Sequence, residues 1–221
     1  GTSGGHGGGI YQPSSMSALD LSNCTISYCH TSGNSGGGLF CRTIDISDCV
    51  FSDNYAGSSG GGVYFEGGLT STIRRTTFID NVAGEKGGGI EARGTVTIEN
   101  CIIAGNSGGG IDCYGEANVL VMNSTIYNNS GGSQMTGYGV NVQSGAAATI
   151  TNSIVYANSS LEIAVSGGGS SVAVDYSLVY GGYAGNGNIS IDPMFVNTTT
   201  NDYHLSTDSP AIDAGTSTGA P

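Results

Sequence analysis

Three carboxylates and one guanidinium in the middle of the chain have side chains that could carry out chemistry: Glu66, Glu91, Asp112 and Arg93. Two or three carboxylates held close together suit the hydrolysis of a glycosidic bond. Carboxylates that hold Ca²⁺ or a uronate, beside an Arg that removes the α-proton, suit a polysaccharide lyase. These four residues are therefore the candidates for a catalytic site.

A non-catalytic role for the same charges is favoured by their order and by the composition. Arg42, Glu66 and Arg93 alternate in sign at one position of a repeat, as in a surface ion ladder, whose pairs are worth about 0–1 kcal/mol each. The 221-residue chain has only five Lys and Arg residues and a net charge of −12. So few cations are ill-suited to holding a polyanion. They also argue against nucleic acid and anionic membrane surfaces as partners. The longest apolar runs are only a few residues, so no direct membrane insertion is expected.

Two sets of aromatic residues recur at fixed positions and are candidates for a ligand or partner surface. The first set is Tyr11, Phe40 and Tyr64, and the second is Tyr127, Tyr156 and Tyr180. Exposed aromatic rows bind neutral sugar rings or partner proteins. The alternative is that the rings only stack across neighbouring strands, or that the C-terminal segment covers them.

These residues are positioned by a repeat whose clearest copy runs from Ile98 to Asn106. In this copy the apolar positions are Ile98 and Ile103, the amide is Asn100, the small residue is Cys101 and the closing residue is Asn106, while the other positions vary. Successive copies are 23 to 29 residues apart, and their leading apolar residues are Leu21, Ile46, Ile73, Ile98, Val121, Ile150 and Val174. A period of this length is typical of a solenoid.

A run of glycines followed by an apolar residue starts each turn of the predicted solenoid, as in Gly87 to Ile90. Side chains alternate between the two faces of a strand. The residues expected to point inward are Ile10, Leu39, Val63, Ile90, Ile111 and Val140, and two positions later Gln12, Cys41, Phe65, Ala92, Cys113 and Val142. The residues between them, expected to point outward, are Tyr11, Phe40, Tyr64, Glu91, Asp112 and Asn141.

The sequence thus predicts an all-β parallel β-helix, a solenoid with three short strands per rung and about eight rungs. Parallel strands need a long connection, and the rest of each coil supplies it. The repeats are expected over residues 1–182. Residues 183–221 are expected to form a capping segment of the same domain, with two or three short strands that close the last rung.

The amide position of the repeat is expected to form a structural ladder of Asn23, Asp48, Asn100, Asn123 and Asn152. Residues in this column would stack at about 4.8 Å, the spacing of strands, and their amides could hydrogen-bond to one another. Asn also tolerates the left-handed conformation that such a bend needs. Arg75 and Tyr176 interrupt the column, so their rungs are expected to turn differently.

The six cysteines also follow the repeat. Cys24, Cys49 and Cys101 occupy the small-residue position, and Thr76, Ser124 and Ser153 occupy it in other copies. This pattern favours buried, stacked thiols that act as small hydrophobic residues, and a Cys24–Cys49 disulfide between adjacent rungs is the alternative. No CxxC pair is present and the three His are scattered, so no metal site is expected. No cofactor is expected, and no motif indicates Ca²⁺.

The repeat resembles the right-handed parallel β-helix proteins of bacterial surfaces. Gly61-Gly62-Val63 and Phe78-Ile79-Asp80-Asn81 are similar to the repeats of polymorphic outer-membrane proteins. The stretches 192–196, 202–205 and 209–215 resemble the end of the choice-of-anchor β-helix proteins. This resemblance implies a right-handed helix in a secreted, extracellular or cell-surface protein.

The leading expectation for function is a non-catalytic structural or adhesive protein that presents aromatic and polar rows. Residues 1–6 have no pattern of an amphipathic lid, which motivates the expectation that the rods self-assemble end to end or laterally. The expected partners are other copies of the chain, neighbouring surface proteins or glycans. The alternatives are a carbohydrate-binding module and a polysaccharide lyase or hydrolase that uses the outer face of the glycine-led sheet.

Overall fold

The computed structural model describes residues 2–3, 5–13, 19–68, 70–132 and 137–217. The chain coils through three parallel sheets of seven strands each, and every turn contributes one strand to each sheet. The sheet that follows the glycine runs is named sheet I. Its strands are Ile10–Tyr11, Leu39–Cys41, Val63–Phe65, Ile90–Ala92, Ile111–Tyr114, Val140–Gln143 and Ile163–Ser166.

Sheets II and III follow sheet I along each turn. The strands of sheet II are Leu19–Ser22, Ile44–Ser47, Ser71–Arg74, Thr95–Glu99, Asn118–Met122, Ala147–Thr151 and Ser171–Asp175. The strands of sheet III are Thr25–Ser27, Val50–Ser52, Thr77–Ile79, Ile102–Ala104, Thr125–Tyr127, Ile154–Tyr156 and Leu178–Val179. The predicted all-β parallel β-helix with three strands per rung is confirmed. Each sheet has seven strands, so the expectation of about eight rungs was slightly too high.

Two smaller elements accompany the three sheets. A short parallel sheet follows sheet III in the early turns and consists of Thr2–Ser3, His30–Thr31, Tyr55–Ala56 and Val82–Ala83. Near the C-terminus, Phe195–Asn197 and Asp202–Leu205 form an antiparallel pair joined by a 3₁₀ turn at Thr198–Thr200. The sequence did not predict the short parallel sheet, because two-residue strands have no distinct pattern.

The core is a continuous column of apolar side chains enclosed by the three sheets. Residues at equivalent repeat positions lie directly over one another, so that Val63 pairs with Leu39 on one side and Ile90 on the other. Phe51 and Phe78 stack inside with ring centroids 5.0 Å apart. The inward residues predicted from Leu39 to Val142 are all buried. This alignment follows from the sequence period, which brings one apolar residue to the same place in each turn.

The bend between sheets II and III uses the left-handed conformation in every repeat. The residues of the predicted amide column have φ values between 49° and 55°. Arg75 and Tyr176 have φ values of 46° and 50°, so the prediction that their rungs turn differently is wrong. The backbone geometry of the coil fixes this conformation even where the residue has a Cβ, for which the left-handed conformation costs roughly 1–2 kcal/mol.

The C-terminal segment, residues 183–217, both pairs with the last rung and turns back along the outside of sheet III. Val179 N–H donates to Ile189 O at 3.0 Å, and Ile189 N–H donates to Ser177 O at 3.0 Å. Further on, Phe195 packs against Tyr127, which lies two rungs before the end. The segment therefore closes sheet III and also lies along its outer face, and residues 183–217 are called the strap. The predicted boundary at residue 182 stays a prediction.

Candidate functional site

Two of the candidate catalytic residues, Glu91 and Asp112, lie in one column on the outer face of sheet I. Tyr64 pairs with Phe40 on the preceding rung and with Glu91 on the next rung. Glu91 in turn pairs with Asp112 one rung further along the helix. Asp112 then pairs with Asn141. The structure thus brings Glu91 and Asp112 side by side, as the repeat predicted.

This column is buried, although its residues point away from the core. Phe40, Tyr64 and Glu91 are 4%, 8% and 0% exposed. The expectation of an exposed aromatic row is therefore wrong for Phe40 and Tyr64, and only Tyr11, at 52%, agrees with it. The His6 ring lies 4.4 Å from that of Phe40, and the Arg93 guanidinium lies over the Tyr64 ring at 5.3 Å.

The glycine runs explain why these outward side chains are covered. Gly60 has a φ of +66°, and its backbone approaches Tyr64 so closely that a Cβ on Gly60 would lie 2.7 Å from the Tyr64 Cβ. Gly87 lies in the same way against Glu91. Each run therefore folds the chain over the strand that it introduces, which a residue with a Cβ could not do. This signal was present in the sequence as the position of the glycines.

Glu91 and Asp112 are held by partners from the same face of the sheet. Arg93 Nε donates to Glu91 Oε1 at 2.8 Å, while Glu91 Oε2 is buried without a hydrogen-bond partner. Asp112 Oδ2 accepts from Asn141 Nδ2 at 2.6 Å and from Gln143 Nε2 at 2.8 Å. The two carboxylates form a sealed pair with one guanidinium.

The electrostatics of this pair are set mainly by burial. Burial, followed by the negative charge of Glu91, raises the pKa of Asp112 from its ordinary value of 3.8 to about 6. Hydrogen bonds from Asn141 and Gln143 and the charge of Lys86 oppose this rise in the pKa. Two like charges on adjacent rungs in a place with little water favour a proton on one of them.

Glu66 does not join the group. Its carboxylate is about half exposed and lies 3.8 Å from Arg42 Nε, too far for a hydrogen bond. The predicted alternation of Arg42, Glu66 and Arg93 therefore holds for the first pair only, because Arg93 pairs with Glu91 on its own strand.

The arrangement is poorly suited to acid–base chemistry on a polymer. A catalytic carboxylate must come within hydrogen-bond reach of the substrate proton, but Glu91 and Asp112 are 0% and 2% exposed. In the part of the chain that the structure describes, no group of three His, Cys, Asp or Glu side chains could hold a metal ion. The geometry instead makes these residues part of the packing between rungs.

The second aromatic row lies on the outer face of sheet III, where the C-terminal segment partly covers it. The Tyr127 ring contacts Phe195 and Tyr203, both with centroids 5.5 Å away. Tyr156 contacts Tyr180 at 5.2 Å, and Tyr180 is 60% exposed. Coverage by the C-terminal segment is thus found for Tyr127. A role of Tyr156 and Tyr180 in binding stays a prediction.

The predicted amide ladder stacks in a column, but its side chains do not bond to one another. Asn23 and Asn100 are exposed, and Asp48 forms a two-pronged ion pair with Arg75 at 2.7 Å. Asn152 bonds to the backbone of Thr216. Among the hydrogen bonds of the described residues, none joins two side chains of Asn23, Asp48, Asn100, Asn123 and Asn152, so this part of the prediction is wrong.

A buried amide ladder exists instead at the closing position of the repeat. Its members are Asn54, Asn81, Asn106, Asn129 and Asn158. In each step the Nδ2 of one residue donates to the Oδ1 of the next at 2.9–3.0 Å. The last amide, that of Asn158, donates to the Glu162 carboxylate. The sequence contained this column as the closing Asn of the repeat, and the structure distinguishes it from the bend column by its burial.

The small-residue position forms a second polar ladder. Cys101 N–H donates to Ser124 Oγ at 3.1 Å, and Ser124 Oγ donates to Met122 O at 2.7 Å. Cys24 N–H contacts Cys49 Sγ at 3.4 Å in the same manner. All six cysteines are free, so the disulfide alternative is not found. These side chains act as weak hydrogen-bonding groups as well as small apolar ones.

Comparison with known families agrees with this architecture. A family model described as a right-handed β-helix region matches residues 3–137, which is more than half of the chain. The chain belongs to the right-handed β-helix family. No curated protein and no solved structure matches it.

The part of this right-handed β-helix that matches the family model contains the Glu91–Asp112 pair and the first aromatic row. Tyr156, Tyr180 and the C-terminal segment lie outside the match. The bacterial-surface type therefore stays a prediction that rests on the sequence motifs. Within the ranges that the structure describes, no helix has the length and apolar character needed to traverse a bilayer.

Proposed function

We propose that this right-handed β-helix is a non-catalytic structural or adhesive protein of the cell surface or the extracellular space. The observation that carries the proposal is the sealed state of Glu91 and Asp112, the residues best suited to chemistry. Their partners Arg93, Asn141 and Gln143 belong to the same sheet. Such a set is enclosed between stacked rungs and offers a polymer no point of attack.

Exposed aromatic side chains support an adhesive role. Tyr28 is 76% exposed and Tyr11 is 52% exposed. Tyr55 is 37% exposed, and its ring stacks on that of His30 with the centroids 4.6 Å apart. Flat aromatic groups on a rigid scaffold bind partner proteins or glycans at a small entropic cost. The acidic surface, with a net charge of −12, favours neutral or basic partners.

The C-terminal end of the helix supports self-assembly. In the part of the chain that the structure describes, the last strands of sheets I and II, Ile163–Ser166 and Ser171–Asp175, pair on one side only. Leu161 and Val165 at this end are 55% and 43% exposed. An unpaired strand edge next to apolar side chains favours the addition of another strand. A second copy of the chain supplies strands of the same spacing.

Self-assembly is tested with an edge variant and a matched control. Val165→Lys places a charge at the open edge, and Val50→Lys places the same charge at a 37% exposed position of sheet III. We expect concentration-dependent light scattering and rods in electron microscopy for the unmodified protein and for Val50→Lys, and dispersed monomers for Val165→Lys. A wild-type protein that stays monomeric up to its solubility limit would remove self-assembly from the proposal.

The absence of catalysis is tested separately. The protein is incubated with a panel of neutral and acidic glycans, and new reducing ends and the ultraviolet absorbance of unsaturated uronates are measured. We expect no cleavage above the level of the Arg93→Ala variant, because the carboxylates are inaccessible. Cleavage by the wild-type protein that Arg93→Ala abolishes would overturn the non-catalytic proposal.

A further inference from the structure

A cleft opens between two tyrosines of sheet III where the rings would be expected to stack. Tyr127 and Tyr156 are register partners on adjacent rungs. In-register aromatic pairs elsewhere, Phe40–Tyr64 and Phe51–Phe78, stack with centroids 5.0 Å apart. Among the ring contacts of the described residues there is none between Tyr127 and Tyr156. Their rings are turned apart, one towards the C-terminal segment and the other towards the last rung.

The C-terminal segment forms the remaining walls of this cleft. Phe195 stands nearly perpendicular to Tyr127, with an interplanar angle of 86°. Asp192, Met194 and Thr198 complete the lining, and the cleft has a volume of about 250 Å³. Three aromatic residues and one methionine thus line a half-open space that is large enough for a small organic molecule.

The only charged side chain in this lining is the carboxylate of Asp192. Its Oδ1 accepts from the Met194 N–H at 2.8 Å, which fixes the carboxylate on its loop. Burial, followed by the charge of Asp192, raises the pKa of the Tyr156 hydroxyl, so the carboxylate acts on the aromatic wall. The faces of aromatic rings are also negative. The cleft therefore attracts cations and repels anions, in a chain whose net charge is −12.

We propose that the cleft between Tyr127 and Tyr156 binds a small organic ammonium ion. The aromatic walls contact the alkyl groups around the nitrogen through cation–π attraction. Asp192 supplies the opposite charge, and the thioether of Met194 adapts to the shape of the ligand. A quaternary ammonium group fits best, because it has no N–H groups that need hydrogen-bond acceptors and its attraction to the carboxylate is purely ionic. This site is independent of the structural role proposed for the rod.

The probe for this site is choline chloride, titrated into the full chain and followed by calorimetry or by NMR of the tyrosine side chains. For a partly exposed site we expect a dissociation constant on the order of millimolar. Dimethylbutanol, the neutral carbon isostere of choline, tests the charge, and a methyl glucoside tests a neutral sugar. Both are expected to bind at least about tenfold more weakly than choline.

Two variants keep the fold while changing the site. Asp192→Asn retains the acceptor for the Met194 N–H but removes the charge, and it is expected to weaken choline binding about tenfold or more. Tyr156→Phe retains the ring and is expected to bind choline like the wild type. Tyr11→Ala removes an exposed tyrosine of sheet I and serves as the control.

The outcomes separate the proposal from its rivals. Preference for choline over its isostere, lost in Asp192→Asn and kept in Tyr11→Ala, supports an ammonium site. Equal binding of the isostere or tighter binding of the glucoside overturns it in favour of an apolar or sugar site. No binding of choline at tens of millimolar also overturns it, since even weak cation–π sites are occupied there.

Discussion

At the scale of single residues, asparagine has two separate roles in this helix. At the bend after sheet II, residues such as Asn100 are exposed and supply only a left-handed backbone conformation. At the closing position, Asn106 is fully buried and uses its whole amide. Its Oδ1 accepts from the N–H and from the Nδ2 of Asn81, and its Nδ2 donates to Phe78 O and to Asn129 Oδ1. The same residue type therefore has very different surroundings at the two positions.

We expect Asn106→Ala to lower the free energy of unfolding by about 3–5 kcal/mol, because several buried groups lose their partners at roughly 1–3 kcal/mol each. The control is Asn100→Gly, which keeps the left-handed backbone and is expected to change the free energy of unfolding by less than about 1 kcal/mol. Urea unfolding followed by circular dichroism measures both. Equal effects of the two variants would contradict the assignment of the ladder.

The stability of the protein is expected to depend on pH through Asp112. Its pKa is about 6 in the folded chain and near 3.8 when unfolded, so the folded state binds the extra proton. The contribution of Asp112 to the free energy of unfolding is therefore greatest below pH ~4 and falls, by up to about 3 kcal/mol, as the pH rises through about 6.

Asp112→Asn should remove most of this slope between pH 4 and pH 7. The exposed Asp20→Asn variant serves as the control and should keep the slope. Urea unfolding at a series of pH values gives the comparison. If Asp112→Asn and Asp20→Asn have the same pH profile, the charge of Asp112 is not a determinant of stability.

At the scale of elements, the C-terminal segment is tied to the helix at several points. One of them is a reciprocal pair of hydrogen bonds at 2.9 Å between the Asn152 side chain and the Thr216 backbone. Asn152 belongs to the column of left-handed bends after sheet II. Among the hydrogen bonds of the described residues, none involves the side chain of Asn123 at the bend of the preceding rung, so the strap uses a position that is not bonded there. A cavity of about 170 Å³ lies next to this contact.

Asn152→Gly is expected to release the end of the strap without unfolding the rod. Glycine keeps the left-handed conformation, and only the two bonds to Thr216 are lost. Limited proteolysis should then cut within residues 206–217 several-fold faster, while the circular dichroism spectrum is unchanged. Asn100→Gly, the same change at an equivalent bend, should leave the rate of cutting unaltered.

At the scale of the whole molecule, each rung contacts mainly the rungs before and after it. Stability is then close to a sum of rung terms and neighbour terms. Phe78 is a buried member of the central column and stacks on Phe51. Damage at this rung should therefore spread to its neighbours and weaken with distance.

We expect Phe78→Ala to cost about 3–5 kcal/mol in the rungs around it. Hydrogen exchange should rise most in the strands Val50–Ser52, Thr77–Ile79 and Ile102–Ala104, and least in Ile154–Tyr156. Phe195→Ala, on the partly exposed strap, should leave all four strands protected. A uniform rise along the rod after Phe78→Ala would show that the helix unfolds as one cooperative unit.

Much of the fold could be predicted from the sequence because the repeat fixes it at every turn. The recurrence of residues such as Ile46, Ile73 and Ile98 determines which side chains stack in the core, since each copy of the repeat occupies the same place in its own turn. The inward and outward residues of sheet I follow from simple alternation. The number of rungs was harder to predict, because worn copies near the ends resemble their neighbours only weakly.

The side-chain environments could not be predicted in the same way. Alternation places Tyr64 and Glu91 outside the core, but whether an outward residue meets water depends on where the glycine runs return, and that depends on the three-dimensional course of the chain. The same holds for the two columns that contain asparagine, because the repeat does not show which of them is buried.

The sequence by itself determined the coil, its three strands per rung and the order of its stacked residues, because these are consequences of a local period. The tertiary structure alone decided that Asn54 to Asn158 form the bonded ladder, that Glu91 and Asp112 are sealed, and that the strap opens a cleft beside Tyr156. Each of these depends on contacts between segments far apart in the chain, and the period along the sequence does not show which stacked side chains are buried.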